Sequence, residues 1–380
     1  MDFNLNEEQK ICQETAKEFA ERYIRHRIDE MEDGRTMPRD LYQNMCDAGI
    51  SGITFEKKYG GLGLGQDCFV LAIEQLAMVL SSAPTPLIIS TMLMQAVNMF
   101  GTEEQKMHYL PRCISGESIA SFAFTEPSTG SDPKQLTCSY REEGDYYVVN
   151  GTKRFITNAA YNGPILIFAN NEDTGETTGM IFEKFCDGYS ISTPWDTLSS
   201  RCSPIYDVFM DNVKVPKENV LYKVGGGFTV LKGLIAFSKM ALCAEFVGNL
   251  GNAYNLALKY AKEKVHRDST IAKFPTIQNS IARIAGIYYS CQQLVYRLAD
   301  HASNSKDLAA VVAESAMVKA HVSDNVAEGA RLCMTVLGAY GVCEEYSVAR
   351  CLRDAIQAPH VEGVSDMQRI IFGSYTLSLK

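Results

Sequence analysis

Hydrophobic and polar positions follow a helical period in the first third of the chain. A capping-box sequence begins at Asn6, and apolar residues then recur every three to four positions over 12–24. A second capping box begins at Thr102. Residues 1–118 are therefore predicted to form an N-terminal α-helical domain.

The middle of the chain changes to short alternating or continuous apolar runs, rich in β-branched and aromatic residues. These runs lie at 119–127, 146–157, 164–169 and 205–215. Turn pairs such as Asn150-Gly151 separate or cross the runs. Residues 119–224 are predicted to form a small antiparallel β-barrel or sandwich.

The helical period returns in the last part of the chain and continues over much longer stretches. The clearest examples are 241–263 and 309–341. Residues 225–380 are therefore predicted to form a C-terminal bundle of three or four helices. The fold class expected from the whole pattern is α+β, with a helical domain, a β-domain and a helical bundle in that order.

Composition and charge exclude several kinds of partner. The net charge is −9 with a pI near 5.3, and no stripe of Lys and Arg suggests a nucleic-acid surface. Residues 75–102 carry no charge, but Pro84 and Pro86 interrupt them, which favours two buried helix segments over a membrane span.

The cysteines and the N-terminus indicate a cytoplasmic protein. None of the twelve cysteines forms a CxxC pair, so neither a zinc ribbon nor a thioredoxin motif is present. Dispersed cysteines in a chain of this length are typical of buried, reduced thiols. The acidic start lacks the basic and apolar regions of a secretion signal.

Two loops carry candidate binding groups. In "FAFTEPSTGSD" (122–132), a strand ends at Thr125, and a turn then presents Ser131 and free backbone amides. Such groups suit the edge of a heteroaromatic ring, although a plain turn would have the same sequence. In "RFITN" (154–158), Phe155 could cover a flat cofactor or simply pack in the core.

A third candidate is Glu362, in "APHVEGVSDMQR" (358–369). Considered alone, it is either an exposed acid in a loop or a carboxylate that accepts a proton in a dry pocket. Gly363 beside it would allow the backbone to approach a ligand closely.

These segments together resemble the acyl-CoA dehydrogenase family along nearly the whole chain. Further matches in order and spacing are "KYGGLGLG" (58–65), "GTEEQKMHYLPRCISGE" (101–117), "DNVKVPKENVL" (211–221) and "VLGAYG" (336–341). The resemblance implies that the C-terminal domain is a four-helix bundle. It also implies bound FAD, a homodimer or homotetramer, and an electron-transferring flavoprotein as the usual electron acceptor.

The resemblance also implies roles for individual residues. The cofactor-binding positions that it implies are Phe122, Phe124, Thr125, Ser131, Phe155, Thr157, Lys264, Arg267, Thr335, Gly338, Ala339 and Val364. The substrate-binding positions are Ser131, Lys239 and Gly363, and Glu362 matches the catalytic base. The family usually has Trp where Phe155 stands, so an indole N–H contact is lost at this position.

The implied reaction is the removal of an α-proton from an acyl thioester by Glu362, with the β-hydride passing to flavin N5, or the reverse reduction. Hydrogen bonds to the thioester carbonyl would stabilise the enolate-like charge. Burial of Glu362 beside the ring would raise its pKa towards the operating pH.

The chain departs from the family where members bind the FAD pyrophosphate across the dimer interface. Lys264 and Arg267 replace the Arg and Phe of an Arg-x-x-Phe-Gly element, while Thr335 and Ala339 replace a Gln and a Gly. Lys264 keeps the charge without bidentate geometry, and Arg267 would restore a guanidinium. FAD is therefore expected to bind, but less tightly.

The positions that bind substrate in the family also differ in this chain. Ala236 and Lys239 replace an acidic residue and an Arg, and Ser238 stands where another branch places its base. Three functions remain open: an acyl-CoA dehydrogenase, the same chemistry on an amino- or hydroxyacyl group tethered to a carrier protein, and a flavin-free scaffold homologue.

Overall fold

The structure is a computed structural model that describes residues 4–130, 132 and 135–378. Its first part is helical, as predicted. The helices are α1 (Glu7–Phe19), α2 (Ile28–Gly34), α3 (Arg39–Asp47), α4 (Gln66–Ala77), α5 (Thr85–Phe100) and α6 (Glu103–Ile114).

Local sequence signals explain where two of these helices begin. Both predicted capping boxes are confirmed, with Asn6 accepting from the amide of Gln9 and Thr102 from that of Gln105. The uncharged stretch forms α5 and the end of α4, with a break between them. Within the described residues, no helix is long and apolar enough to cross a membrane.

The middle part is one curled sheet. Its strands are β1 (Ser121–Ala123), β2 (Ser139–Glu143), β3 (Tyr146–Thr157), β4 (Pro164–Asn171), β5 (Thr177–Glu183), β6 (Tyr189–Ile191) and β7 (Ile205–Pro216). They follow the order β1-β4-β2-β3-β7-β6, and β5 pairs with β4. The prediction of a purely antiparallel sheet was wrong, because β4 pairs in parallel with both β1 and β2.

The last part contains the long helices. They are α7 (Gly227–Glu263), α8 (Pro275–Asn304), α9 (Leu308–Leu337), α10 (Val348–Ala355) and α11 (Ser365–Thr376). A two-stranded hairpin, β8 (Val265–His266) and β9 (Ser269–Thr270), joins α7 to α8. Helix α7 has 37 residues and packs on both α8 and α9.

The two helical parts share one apolar core, which fixes the position of α7. Ile73 and Leu76 of α4 pack in the same cluster as Phe246 of α7 and Val318 of α9. Gly248 permits this close approach, because a Cβ there would lie 2.3 Å from the carbonyl oxygen of Glu74. One face of the sheet packs in a separate core of its own.

All twelve cysteines are free, which agrees with the predicted reduced thiols. Most are fully buried, and Cys186 and Cys343 are partly buried. They therefore serve as small apolar residues of the core.

Glu245 of α7 makes the stability of the fold dependent on pH. Its side chain is buried, and it accepts a hydrogen bond of 2.9 Å from the hydroxyl of Thr85. Burial raises the pKa of Glu245 to about 8, against the lowering effect of Thr85. The folded state therefore holds a proton that the unfolded chain releases near pH 4.5, and stability falls as the pH rises from there to about 8.

We expect Glu245→Gln to remove this pH dependence, because the amide keeps an acceptor for Thr85 and cannot ionise. Between about pH 5 and pH 8 the wild type should lose roughly 2–4 kcal/mol of unfolding free energy relative to the variant. Urea unfolding at both pH values measures the difference. Glu263→Gln, at the exposed end of the same helix, is the control and should follow the wild type.

Candidate active site

Glu362 lies in the loop between α10 and α11, and its backbone has an uncommon conformation. Its φ is 51°, and that of Gly363 is 85°, so two successive residues adopt the left-handed region. Non-glycine residues with positive φ are uncommon and are concentrated at functional sites. Lys319 of α9 stabilises the loop by donating to the carbonyl oxygens of Ala358 (2.9 Å) and Gly363 (2.8 Å).

Glu362 does not itself line the small cavity between α4, α5 and α7, but it contacts one of the lining residues. The hydroxyl of Ser238 donates to Oε2 of Glu362 at 3.0 Å, and Ser238 also lines the cavity. Apolar residues dominate the remaining lining, together with a few polar groups. The lining residues are Gln66, Phe69, Ile88, Thr91, Met92, Gln95, Leu234, Phe237, Ser238 and Ala241.

Burial and nearby charges shift the pKa of Glu362 in opposite directions. The residue is partly exposed, but desolvation of its carboxylate is the largest effect and raises its pKa. The hydrogen bond from Ser238 and the charges of Lys239 and Lys319 oppose this increase. A carboxylate with a raised pKa beside a cavity has the properties of a general base.

Lys239 lies near this carboxylate, but it does not line the cavity. It is completely buried, and burial lowers its pKa to about 8. Among the described residues its ammonium has no hydrogen-bond partner. The predicted direct contact between Lys239 and substrate therefore has no support from the cavity lining.

The ends of β1 and β3 bring the two predicted flavin loops together. The amide of Arg154 donates to the carbonyl oxygen of Thr125 at 2.7 Å. Phe155 follows with a φ of 61°, and its ring is 50% exposed. Thr125 and Thr157 are both partly exposed at these strand ends. The arrangement leaves aromatic and hydroxyl groups available for a flat ligand.

Phe122 and Phe124 lie beneath this edge of the sheet. Each ring packs at 5.6 Å against Phe168 in an edge-on arrangement, and each is partly buried. Ser131, predicted to bind both cofactor and substrate, lies outside the described residues.

A buried ion pair holds the Thr125 loop in place. Nζ of Lys153 lies 2.7 Å from Oε1 of Glu126 and also donates to the carbonyl oxygens of Phe124 and Phe168. Both charged side chains are fully buried. Burial alone would raise the pKa of Glu126, but Lys153 and hydrogen bonds from Thr137 lower it to about 2.

Trp195 is a residue at this edge that the sequence pattern did not reveal. Its ring lies 5.4 Å from that of Phe155, and it is 43% exposed. Its indole N–H donates to Asp207 at 3.0 Å, and Asp207 also pairs with Arg154. Trp195 is the one tryptophan in the chain, and this is the feature of the sequence that could have drawn attention to the position. Its distance in sequence from Phe155 concealed the contact.

The remaining predicted cofactor residues form a second group at the far end of α7. Lys264 follows the last residue of α7, and its ammonium lies 5.0 Å from the centre of the Tyr340 ring. Arg267 is exposed in the turn between β8 and β9, with a φ of 55°. Lys264 is 26 residues beyond Ser238, roughly 39 Å along a helix. One chain therefore does not bring this group to Glu362.

The other members of the second group are near the end of α9. Thr335, Gly338 and Ala339 are all exposed, and the Thr335 hydroxyl donates to the carbonyl oxygen of Arg331 in its own helix. The contact between Lys264 and Tyr340 joins this segment to the end of α7. Val364, by contrast, lies beside Glu362 and precedes the first residue of α11.

Comparisons with known proteins agree with this architecture. Family models of the acyl-CoA dehydrogenase N-terminal, middle and C-terminal domains match residues 6–117, 121–213 and 225–375. The short-chain specific acyl-CoA dehydrogenase of Clostridium acetobutylicum is 31% identical, over 98% of this chain and 98% of its own. The caffeyl-CoA reductase-Etf complex subunit CarC of Acetobacterium woodii is 30% identical, over 98% and 99%.

A solved structure shows the same fold. Butyryl-CoA dehydrogenase from Megasphaera elsdenii aligns with a TM-score of 0.95 and 28% identity, covering 99% of this chain and 100% of that one. The fold class and the enzyme class expected from the sequence, a flavin-dependent oxidoreductase of acyl thioesters, are thereby confirmed. The chain belongs to the acyl-CoA dehydrogenase family.

Proposed function

We propose that this protein interconverts an acyl thioester and its α,β-unsaturated form, with Glu362 as the base that accepts the α-proton and FAD as the cofactor. The observation that carries the proposal is the environment of Glu362. Its carboxylate has a raised pKa, accepts a hydrogen bond from Ser238, and lies beside a cavity that Ser238 also lines.

The residues around Glu362 have separate tasks in this reaction. The left-handed backbone at Glu362 and the exposed Gly363 suits a main-chain hydrogen bond to the thioester carbonyl. Lys319 fixes the loop, and Ser238 orients the carboxylate. The mainly apolar lining of the cavity would exclude water from the α-carbon of a bound acyl group.

The residues at the sheet edge fit a flavin ring. Thr125 and Thr157 supply hydroxyl groups, while Phe155 and Trp195 supply exposed aromatic surface. When bound there, the flavin provides the acceptor for the hydride that leaves the β-carbon. Lys153 and Glu126 keep the Thr125 loop fixed, so the edge is preorganised for a rigid ligand.

The distance between the two groups of cofactor residues supports an oligomer. A dinucleotide that used both the sheet edge and the Lys264 group would require residues from two chains, because α7 separates the groups within one chain. We therefore propose a homodimer or homotetramer in which each flavin site is shared. An electron-transferring flavoprotein is the proposed redox partner, as the name of the Acetobacterium relative records for that protein.

Anaerobic titration of the purified protein tests the function. Saturated thioesters should bleach the visible flavin absorbance, and unsaturated thioesters should restore it after reduction. The panel includes short, branched and aryl acyl-CoA compounds and the same acyl groups on a carrier protein. If only the carrier-bound thioesters bleach the flavin, the substrate is an acyl group on a carrier protein and not an acyl-CoA. A colourless protein, or no spectral change with any thioester, would contradict the proposal.

We expect Arg267→Ala to weaken FAD retention about tenfold to a hundredfold, because a charge-assisted hydrogen bond to phosphate contributes about 1.5–3 kcal/mol. The ratio of flavin to protein absorbance after extensive dialysis measures the loss. Lys262→Ala, an exposed cation at the end of α7, is the matched control. Equal flavin content in both variants and the wild type would exclude Arg267 from the cofactor site.

A further inference from the structure

Two buried lysines from different helices converge on the loop that carries Glu362. Lys239 is on α7 and Lys319 on α9, and both are 0% exposed. Lys319 donates to two carbonyl oxygens of the loop. Lys239 has no hydrogen-bond partner for its ammonium in the part of the chain that the structure describes. A buried cation without an acceptor is costly, so its position requires a compensating interaction.

Glu362 is the carboxylate close enough to compensate the charge of Lys239, although the two side chains form no direct ion pair. The neighbouring residue, Ser238, contacts the Glu362 carboxylate directly at 3.0 Å, which places this turn of α7 against the loop. Glu362 is also the main opposite charge acting on Lys239. Neither Lys239 nor Glu362 lines the cavity, so the charge of Lys239 acts near Glu362 and not at the cavity wall.

We propose that Lys239 is a positioning residue that sets the proton affinity of Glu362 by holding a buried positive charge near the carboxylate. The inference rests on the proposed function of Glu362 as the base. It assigns Lys239 a role through Glu362, in place of the direct substrate contact that the sequence predicts.

The other groups that face this pair have defined charges. Lys319 is the second cation, and its hydrogen bonds hold it on the backbone of the loop. Cys243, on the same helix as Lys239, is buried, and burial raises the pKa of its thiol to about 12, so it remains neutral. Ser238 contributes a hydrogen bond and no charge. Lys239 is therefore the cation near Glu362 that no hydrogen bond holds elsewhere among the described residues.

The charge has a direct consequence for catalysis. Burial favours the protonated form of Glu362, which cannot accept a proton from the substrate. A neighbouring ammonium favours the carboxylate, so it keeps the base ready at a lower pH than burial alone would allow. Transfer of the α-proton to Glu362 then leaves Lys239 without its counter-charge, which limits how strongly the base retains the proton.

Infrared difference spectroscopy of the full-length protein with its bound cofactor tests the inference without any substrate. The protonated carboxyl band that disappears in Glu362→Gln identifies Glu362, and its intensity is followed as a function of pH. Lys239→Met should raise the titration midpoint by about 1–3 pH units, because it removes an adjacent positive charge. Lys239→Arg should keep the midpoint near that of the wild type.

A matched control separates local charge from general destabilisation. Lys232→Met removes a cation from the exposed surface of the same helix and should leave the midpoint unchanged. An unchanged midpoint in Lys239→Met, or an equal shift in Lys232→Met, would overturn the inference. Retained flavin reduction in Glu362→Gln would instead overturn the proposed function, so the two failures are distinguishable.

A reciprocal measurement does not depend on the folding of Lys239→Met. Because the coupling between two sites is mutual, Glu362→Gln should lower the pKa of Lys239 below its wild-type value of about 8. Nuclear magnetic resonance of ¹⁵N-labelled lysine side chains measures that pKa in both proteins. Identical Lys239 titrations would show that the two groups do not interact.

Discussion

Glu362→Gln is expected to reduce the rate of thioester-dependent flavin bleaching by about 10²–10⁴-fold, the usual contribution of a general base. The amide has the same shape and can still accept the hydrogen bond from Ser238, but it cannot take the α-proton. In the wild type the rate should rise with pH through the raised pKa of Glu362, because only the carboxylate is active. Anaerobic stopped-flow absorbance measures the rate.

The control for this prediction is Glu345→Gln, which removes an exposed acid of the same helical part. It should bleach at the wild-type rate. Flavin content must be equal in all three proteins, so that the rate reports proton transfer and not cofactor loss. A Glu362→Gln protein as fast as the wild type would exclude Glu362 as the base.

Lys153→Met is expected to lower the free energy of unfolding by about 3–5 kcal/mol, because removal of one partner leaves the buried Glu126 charge uncompensated. Urea unfolding at neutral pH measures this cost. Lys214→Met, on the exposed side of β7, is the control and should change stability little. A cost no greater than that of the control would show that Glu126 has another source of compensation.

A double variant and the pH dependence test the same ion pair. Lys153→Met with Glu126→Gln should be less destabilised than Lys153→Met alone, because the uncompensated charge is absent. In the wild type, Glu126 contributes stability above its unfolded pKa near 4.5, and this contribution is lost as the pH falls towards about 2. Lys153→Met should lose this acid dependence, because the pair that lowers the pKa is gone.

The sequence predicts those parts of the fold that depend on neighbouring residues. The capping boxes at Asn6 and Thr102 are local patterns, and both helices begin there. Strand β3 occupies the predicted residues 146–157, whose two ends are rich in aromatic and β-branched residues. Strand β2 escaped prediction, since its sequence, SYREE, is polar and its position depends on pairing with β3 and β4.

For the site, as for the fold, the sequence predicts features written in short motifs but not contacts between residues that are far apart in the chain. The family resemblance points to Glu362 and to the loops at Thr125 and Phe155, because each carries a short motif. The contact of Ser238 with Glu362 spans 124 residues and has no local pattern. The proximity of Trp195 to Phe155 likewise depends on how β7 and its preceding loop fold back on β3.

The length of α7 has a consequence for assemblies that contain both normal and altered chains. If each flavin takes its base from one chain and its phosphate contacts from the next, a faulty chain impairs a site whose other half is intact. In a mixed assembly of normal and altered chains, a site would then keep its activity only where both contributing halves are intact. Conversely, two chains damaged at opposite ends of this helix could restore one another's function.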